Sequence, residues 1–165
     1  MVVALVVIGV IVVIVAVQLA LFSLVVAGIR LQNRPILNAI RRFNRAVTNP
    51  RIMSTAGTDA TSTAVIRHIG RRSGHTYETP VEAFNATDGT VLILLPYGQS
   101  ADWVCNVTAH GGAELLRAGE QFRLSHPQVV PTAEVRTQLP AKEQRMMLLF
   151  NVPGCLRLTR EPERA

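Results

Sequence analysis

The sequence predicts an α+β fold: a small, mostly antiparallel β-barrel with flanking helices, preceded by one N-terminal transmembrane helix. Three observations lead to this prediction. The first 29 residues contain no charged side chain, many short strand-like runs separated by turn signals follow, and two or three helical segments lie among them. Short strands of this kind, with a few helices, are typical of small barrels. The 165 residues suffice for one domain with a core once the apolar start is set aside.

Residues 1–29 are predicted to form the transmembrane helix. They are almost all Val, Ile, Leu, Ala and Phe, and only Gln18 and Ser23 carry polar side chains. About 20 apolar residues suffice to cross the hydrocarbon core of a bilayer. A buried core helix is usually much shorter, and a cleaved signal peptide has a basic start and an apolar core of about 7–15 residues. We therefore expect an uncleaved membrane anchor.

The charges that follow this helix predict its orientation. The segment just after it is rich in arginine: Arg30, Arg34, Arg41, Arg42 and Arg45. Basic residues flanking a span favour the cytoplasmic side, so we expect a single-pass protein of the cell membrane with its C-terminal domain in the cytoplasm. Cys105 and Cys155 fit a reducing compartment, and we interpret both as small core residues.

Residues 30–60 are predicted to contain a basic amphipathic helix and a linker. Pro35 suits a first helical turn, and the apolar residues recur at helical spacing on one face: Ile36, Ile40, Phe43 and Val47. Two interpretations are open. The helix could lie on the anionic leaflet, where each basic residue adds about 1 kcal/mol, or it could pack on the domain with its basic face in solvent. Residues 49–61, rich in turn-forming residues, are predicted to be a loop.

Residues 61–165 are predicted to form the barrel domain. The strand candidates, in order, are residues 63–69, 75–84, 91–95, 114–118, 121–125 with an extension at 128–130, and 155–159. A short helix is expected at residues 101–110, with Ser100 or Asp102 near its N-cap and Gly111-Gly112 ending it. Residues 132–150 also have helical character, interrupted by Pro140.

A basic turn bounded by glycines joins the first two strands. It reads Gly70-Arg71-Arg72-Ser73-Gly74. The glycines permit a tight turn that approaches a ligand closely, and successive backbone N–H groups can form an anion-binding nest. The two guanidinium groups suit phosphate or carboxylate, and the serine can donate a further hydrogen bond. A solvated hairpin tip with two arginines would have the same sequence.

The only tryptophan lies about thirty residues later. Trp103 and Asn106 are three positions apart, so they share one face of the predicted helix. The pair offers a flat stacking surface and an amide that donates and accepts hydrogen bonds. The alternative is a core tryptophan with a capping asparagine.

Other chemistries lack a sequence signal. The histidines show no metal-ligand spacing, and no nucleophile motif or catalytic carboxylate pair is present, so we predict no metal and no catalytic side chain. The chain is basic, with a net charge of +6. An aromatic content of 5% and the lack of a nucleic-acid-reading motif nevertheless predict no nucleic-acid partner.

Several of these segments form an ordered set. The set is Ile66 to Gly74, then Thr79-Pro80-Val81, then Asp88-Gly89, then Leu94-Leu95-Pro96-Tyr97-Gly98, then Asp102-Trp103-Val104-Cys105-Asn106-Val107, and the stretch from Leu124 to Val130. In this order it resembles the deazaflavin-dependent nitroreductase family of actinobacteria, a branch of the flavin-binding split β-barrels. The resemblance covers about residues 61–131 well and the C-terminal third loosely.

The resemblance implies a split β-barrel that binds deazaflavin coenzyme F-420, whose phospholactyl-oligoglutamate tail is strongly anionic. It assigns Arg71, Arg72 and Ser73 to the tail. Trp103 and Asn106 would line the same groove. The remaining implied cofactor-binding positions are Gly70, Gly74, Pro80 and the backbone beside the ring at Pro96, Tyr97 and Gly98. The reduced cofactor is itself the hydride donor, so no catalytic side chain is needed. Split barrels of this type often form homodimers.

The expected acceptor follows from one departure and from the membrane anchor. Family members that reduce nitro compounds carry tyrosines in the C-terminal substrate region, whereas this chain has none after Tyr97. An anchored domain lies beside the lipid phase, where quinones are found. We therefore predict a quinone or another conjugated or nitro acceptor. The alternatives are an FMN- or haem-binding barrel, a non-enzymatic carrier of a flavin-like ligand, and an anchored basic domain without catalytic role.

Overall fold

The structure, a computed structural model, describes residues 2–162 and confirms the predicted fold class. Its strands are β1 (Thr63–Ile69), β2 (Thr76–Asn85), β3 (Thr90–Leu94), β4 (Gly112–Arg117), β5 (Glu120–Pro131) and β6 (Gly154–Arg160). Its helices are α1 (Val2–Arg30), α2 (Arg34–Phe43), α3 (Asn49–Ile52), α4 (Asp102–His110), α5 (Thr132–Val135) and α6 (Ala141–Phe150). Residue 1 and residues 163–165, at the outer ends of the predicted anchor and barrel segments, lie outside the described part.

The six strands pair antiparallel and close into a barrel in the order β1-β2-β3-β6-β5-β4. The glycine-bounded turn joins β1 to β2 as predicted. Gly70 N donates to His75 O at 2.8 Å, and Gly74 takes a φ of +68°, a conformation that glycine adopts without strain. A bulge between Ser125 and Gln128 interrupts the pairing of β5 with β6. It bends this 12-residue strand, which pairs with both β4 and β6 and so closes the barrel.

The barrel interior is filled by aliphatic side chains, and α4 covers one side of it. Val104 and Val107 of α4 are buried in the same cluster as Ile66, Ile93 and Leu115. Gly111 ends the helix in the left-handed conformation, with a φ of +72°. Burial of these side chains is the main stabilising term for a domain of this size.

A second apolar cluster lies under α5 and α6. Cys155 is buried there beside Leu92 and Val135. Burial raises the pKa of its thiol to about 11, so the side chain stays protonated and packs as a small core residue, as predicted. Cys105 is only half-buried.

The first helix projects from the barrel. Its most apolar 18-residue stretch has a mean hydropathy of 3.3, and none of that stretch is buried. α1 is therefore long and apolar enough to cross a membrane, a test that signal sequences also pass. Its C-terminal end packs closely on α2, because a Cβ atom at Gly28 would come within 2.3 Å of the Ile36 side chain.

The helical segment after α1 is longer than predicted. The loop expected from residue 49 is wrong at its start, since a π-helical turn (Asn44–Thr48) continues α2 into α3. Asn49 N donates to Asn44 O in this turn. Pro50 then lies at the start of α3, where its missing N–H costs no hydrogen bond. The Asn49-Pro50 pair, which suggests a loop in the sequence, therefore lies at the start of α3.

Candidate functional site

A cavity of about 670 Å³ lies between the α2–α3 segment and the barrel. The helical segment contributes Arg41, Asn44, Arg45 and Ile52 to its wall. The barrel contributes the glycine-bounded turn, part of β2 and the first residues of α4. The α2–α3 segment, which the sequence pattern left without a site role, therefore forms one side of the cavity.

Most of the predicted cofactor-binding residues line this one cavity. Those that line it are Gly70, Arg71, Arg72, Ser73, Pro80, Tyr97, Trp103 and Asn106. Gly74, Pro96 and Gly98 are not among the lining residues. The turn and the Trp/Asn pair, which are separated along the chain, thus meet at a common surface.

Asn106 connects the turn to α4. It is 6% exposed, and its Oδ1 atom accepts from Arg71 N at 3.2 Å and from Arg71 Nη1 at 2.8 Å. The asparagine does not cap its helix. Instead it holds the backbone and the side chain of the turn's first arginine.

His68 completes this network from strand β1. Its Nδ1 lies 3.2 Å from Asn106 Nδ2, and its Nε2 lies 3.3 Å from Thr79 Oγ1. Because Asn106 Oδ1 already accepts from Arg71, the amide nitrogen donates to Nδ1, which places the His68 proton on Nε2. Burial lowers the pKa of His68, and the charge of Asp102 offsets only part of this lowering. The imidazole is therefore held neutral at the cavity wall.

Asp102 joins the α2–α3 segment to the turn. Its Oδ2 atom lies 3.1 Å from Arg45 Nη2, and its Oδ1 atom lies 3.3 Å from Arg71 Nη2. Burial raises the pKa of this carboxyl, but hydrogen bonds and charge from the two arginines outweigh it, and the net shift is downward. The N-cap of α4 is Ala101, which lies between Ser100 and Asp102, the residues predicted near that position. No side chain caps the helix, and the Asp102 carboxylate binds the two arginines.

Arg72 and Ser73 differ from Arg71 in what they contact. Within residues 2–162 the Arg72 guanidinium has no hydrogen-bond or ion-pair partner, although it lines the cavity. Ser73 Oγ lies 3.1 Å from Tyr77 Oη and accepts from His75 N at 3.3 Å. Within the described residues, the turn therefore offers the Arg72 guanidinium, which has no protein partner, and the Ser73 hydroxyl, which is already partly hydrogen-bonded.

The segment after β3 is covered by the α2 region. Arg41 Nη2 donates to Tyr97 O and, at 3.1 Å, to Ser100 Oγ. Gln32 Nε2 lies 3.4 Å from Pro96 O. These two carbonyls, which the resemblance placed beside a ring, are thus already hydrogen-bonded. Tyr97 still reaches the cavity through its side chain, whose hydroxyl accepts from Asn44 Nδ2 at 3.1 Å.

The contacts of α2 and of the π-helical turn agree with the second interpretation, packing on the domain, and add a detail to it. Arg41 and Arg45 of the basic face bind the barrel, although the Arg45 side chain remains 74% exposed. Phe43, assigned to the apolar face, is 60% exposed. The arginines turn to the barrel because a carbonyl, a hydroxyl and a carboxylate at its edge accept hydrogen bonds, and arginine supplies several donors from one side chain.

Sequence reasoning missed three residues of this site. His68 is a single histidine within a strand, and its only signal is its position on the buried face of β1, two residues after Ile66. Arg41 and Arg45 are predicted as charges that flank the membrane span and as part of the basic face of a helix, without a role in the site. Their helical spacing of four residues, together with Asn44, is the signal that marks one polar face.

No protein-family model matches the sequence, and no curated protein sequence matches it. Among solved structures, it is similar to a protein of unknown function from Agrobacterium tumefaciens, with a TM-score of 0.46 and 15% identity over 68% of this chain and 55% of that one. It is also similar to a conserved hypothetical protein from Mycobacterium tuberculosis, with a TM-score of 0.46 and 13% identity over 63% and 76%.

A third similar structure is an F420-H2 dependent reductase, with a TM-score of 0.35 and 11% identity over 59% of this chain and 93% of that one. All three TM-scores lie below 0.5 and all three identities below 25%. These similarities therefore do not indicate what this chain binds or catalyses.

Proposed function

We propose that the chain is a membrane-anchored reductase that binds reduced deazaflavin coenzyme F-420 in the cavity and passes a hydride to a quinone or another conjugated or nitro acceptor. The observation that carries the proposal is the composition of one cavity wall. Guanidinium groups for an anionic tail and an indole for a flat ring line the same space of about 670 Å³. Pockets that bind small ligands usually measure about 300–1,000 Å³.

The cationic part of the cavity fits an anionic tail. Arg45 and Arg71 share the single carboxylate of Asp102, so these three groups together retain positive charge. Arg72 adds a guanidinium without a partner in the described part of the chain. Phosphate and carboxylate groups bind such clusters through charge-assisted hydrogen bonds. We assign direct contact with the tail to Arg72 and Ser73, and positioning of the turn to Arg71.

The aromatic part fits a planar ring. Trp103 is partly buried and packs against the barrel core, which restricts its indole. Pro80 and Val81 of β2 provide apolar surface in the same cavity. Aromatic and apolar surfaces held by packing orient a flat ligand at low entropic cost.

The protein's part in the reaction is positioning. When bound, the reduced cofactor supplies the hydride. The chain's residues would bind the tail at Arg72 and Ser73, orient the ring against Trp103, and keep water from the reacting faces. His68 holds its proton on Nε2, directed at Thr79 Oγ1, so we assign it to positioning Asn106.

The membrane part of the proposal rests on α1. Side chains along this helix are exposed over most of its length, including Phe22 and Leu24 near its end. An exposed apolar surface of that extent is normally covered, either by lipid or by another protein. We propose a single membrane span with the barrel in the cytoplasm, on the side of the arginine-rich flank. An acceptor dissolved in the bilayer would then be close to the cavity.

The experiment that tests the activity is multiple turnover with the full chain in lipid nanodiscs. Reduced F-420 and menadione are mixed, and cofactor oxidation is followed by absorbance. We expect many cofactor equivalents to be oxidised per protein, and a slower rate for Arg72→Ala but not for Arg136→Ala, a surface control outside the cavity. Oxidation of one equivalent only would indicate a carrier, and none above the protein-free rate would contradict the proposed activity.

A further inference from the structure

The C-terminal half of α6 presents an apolar surface to solvent. Met146, Leu148 and Leu149 form this surface, here named the α6 patch, and they are 39%, 54% and 43% exposed. The opposite side of the helix packs on the domain, since Met147 is buried in the second core cluster and Phe150 packs against that cluster. A surface helix normally carries polar side chains on its outer face. The α6 patch departs from that pattern.

The α6 patch begins where α1 ends. Arg30, the last residue of α1, donates through Nη1 to Leu148 O at 3.1 Å and to Leu149 O at 2.8 Å. One arginine side chain therefore bridges the end of the long apolar helix and the end of α6. Leu31, the next residue, is 78% exposed at the same junction. The end of α1 and the α6 patch are thus neighbours, and the exposed Leu31 directly follows the arginine that joins them.

We infer that the α6 patch inserts into the headgroup–acyl boundary of the same bilayer that α1 crosses. This inference rests on the proposed membrane anchorage. The surrounding charges suit an anionic leaflet, because Lys142 and Arg145 of α6 and Arg34 at the start of α2 are exposed. Long basic side chains reach headgroups while neighbouring leucines enter the apolar layer.

The contact has a consequence for the barrel. The end of α1 packs on α2, but a single span can itself tilt in the bilayer and carry the barrel with it. A second contact at α6 restricts that tilt and holds the barrel against the surface. The membrane contact is therefore made by α6, whereas Arg41 of α2 and Arg45 of the π-helical turn bind the barrel.

The test places a fluorescent label at residue 148 in the full chain. Leu148→Cys is combined with Cys105→Ser, since Cys155 is buried and its thiol remains protonated. The labelled chain is reconstituted in vesicles of phosphatidylcholine and phosphatidylglycerol that contain lipids with acyl-chain nitroxides. The control label is at Glu120→Cys, at the opposite end of the 12-residue strand β5 from α5 and α6. Met146→Cys provides a second patch position.

We expect nitroxide lipids to quench the labels at residues 148 and 146 at least threefold more than the label at residue 120. Equal quenching at all three positions would overturn the inference. Weak quenching together with cross-linking between labelled chains would assign the patch to a second copy and would also overturn it. Alkaline extraction separates the two proposals. A chain released by alkali contradicts the anchorage itself, whereas a retained chain without quenching contradicts only the α6 contact.

Discussion

Asn106 Oδ1 accepts two hydrogen bonds from Arg71, one from the backbone N at 3.2 Å and one from Nη1 at 2.8 Å. These bonds join α4 to the glycine-bounded turn of the first hairpin. The amide nitrogen of Asn106 donates to His68 Nδ1, so each polar atom of this buried side chain has a partner. A fully satisfied buried network of this kind holds the cavity wall in one arrangement.

Removing the Asn106 amide should destabilise the barrel. Asn106→Ala leaves His68 Nδ1, at a buried position, and Arg71 N, at a half-buried one, without their partners, and an unsatisfied buried polar group costs about 1–3 kcal/mol. We expect a loss of that size in the free energy of unfolding, measured by urea denaturation of the barrel in detergent micelles. Asn38→Ala, at an exposed position of α2, is the control. Equal stability of both variants would show that the network does not support the fold.

Substitutions of the two arginines in the turn should separate an effect on ligand binding from an effect on stability. Arg72 has no partner in the described chain, so Arg72→Ala should weaken F-420 binding by about 1–3 kcal/mol and leave unfolding unchanged. Arg71→Ala also removes bonds to Asp102 and Asn106 and should lower both binding and stability. Binding isotherms and urea curves of the two variants check this. Identical behaviour of the pair would contradict the division of roles.

The buried histidine should make stability depend on pH. Burial lowers the pKa of His68 below its unfolded value of about 6.5. Between that value and the lower folded pKa, the unfolded chain binds more protons, so stability falls as the pH falls through this window. Melting temperatures from pH 8 to 5 should show the decrease, and His68→Gln should reduce it. His126→Gln, an exposed histidine, should not. A flat profile in the unaltered chain would contradict a buried neutral His68.

Removing most of α1 should reduce access to an acceptor dissolved in the membrane and should leave the cavity itself unchanged. A chain that begins at Ala27 keeps Gly28 and Ile29, which are buried, and Arg30, which binds α6. We expect it to be folded and to reduce menadione in solution at the full-length rate, but to reduce a long-chain quinone in vesicles at least tenfold more slowly. Equal rates with the vesicle-bound quinone would argue against a role of the anchor in acceptor access.

The parts of this fold that could be predicted depend on local chemistry. The turn at Gly74 and the helix end at Gly111 follow from the conformational freedom of glycine, and at Gly70 a Cβ atom would come within 2.4 Å of Ser73 Oγ. The common face of Trp103 and Asn106 follows from helical spacing. Of these residues, Gly70, Trp103 and Asn106 line the cavity, whereas Gly74 and Gly111 do not.

The missed features depend on contacts between distant segments. Nothing local shows that Arg41 and Arg45 turn to the barrel, because their acceptors on Tyr97 and Asp102 lie more than fifty residues away. For the same reason the arginine partners of Asp102 do not follow from its position at the start of α4. The partners of His68 are likewise brought together only by strand pairing and helix packing.

Trp103 makes the central claim directly measurable. It is the only tryptophan of the chain and lines the cavity, so its fluorescence reports on a ligand bound there. The full chain in nanodiscs is titrated with F-420 and, in parallel, with FMN. We expect saturable quenching by F-420, at least tenfold tighter than that by FMN and weakened in Arg72→Ala. Absence of saturable quenching by F-420, or tighter binding of FMN, would contradict a deazaflavin site in this cavity.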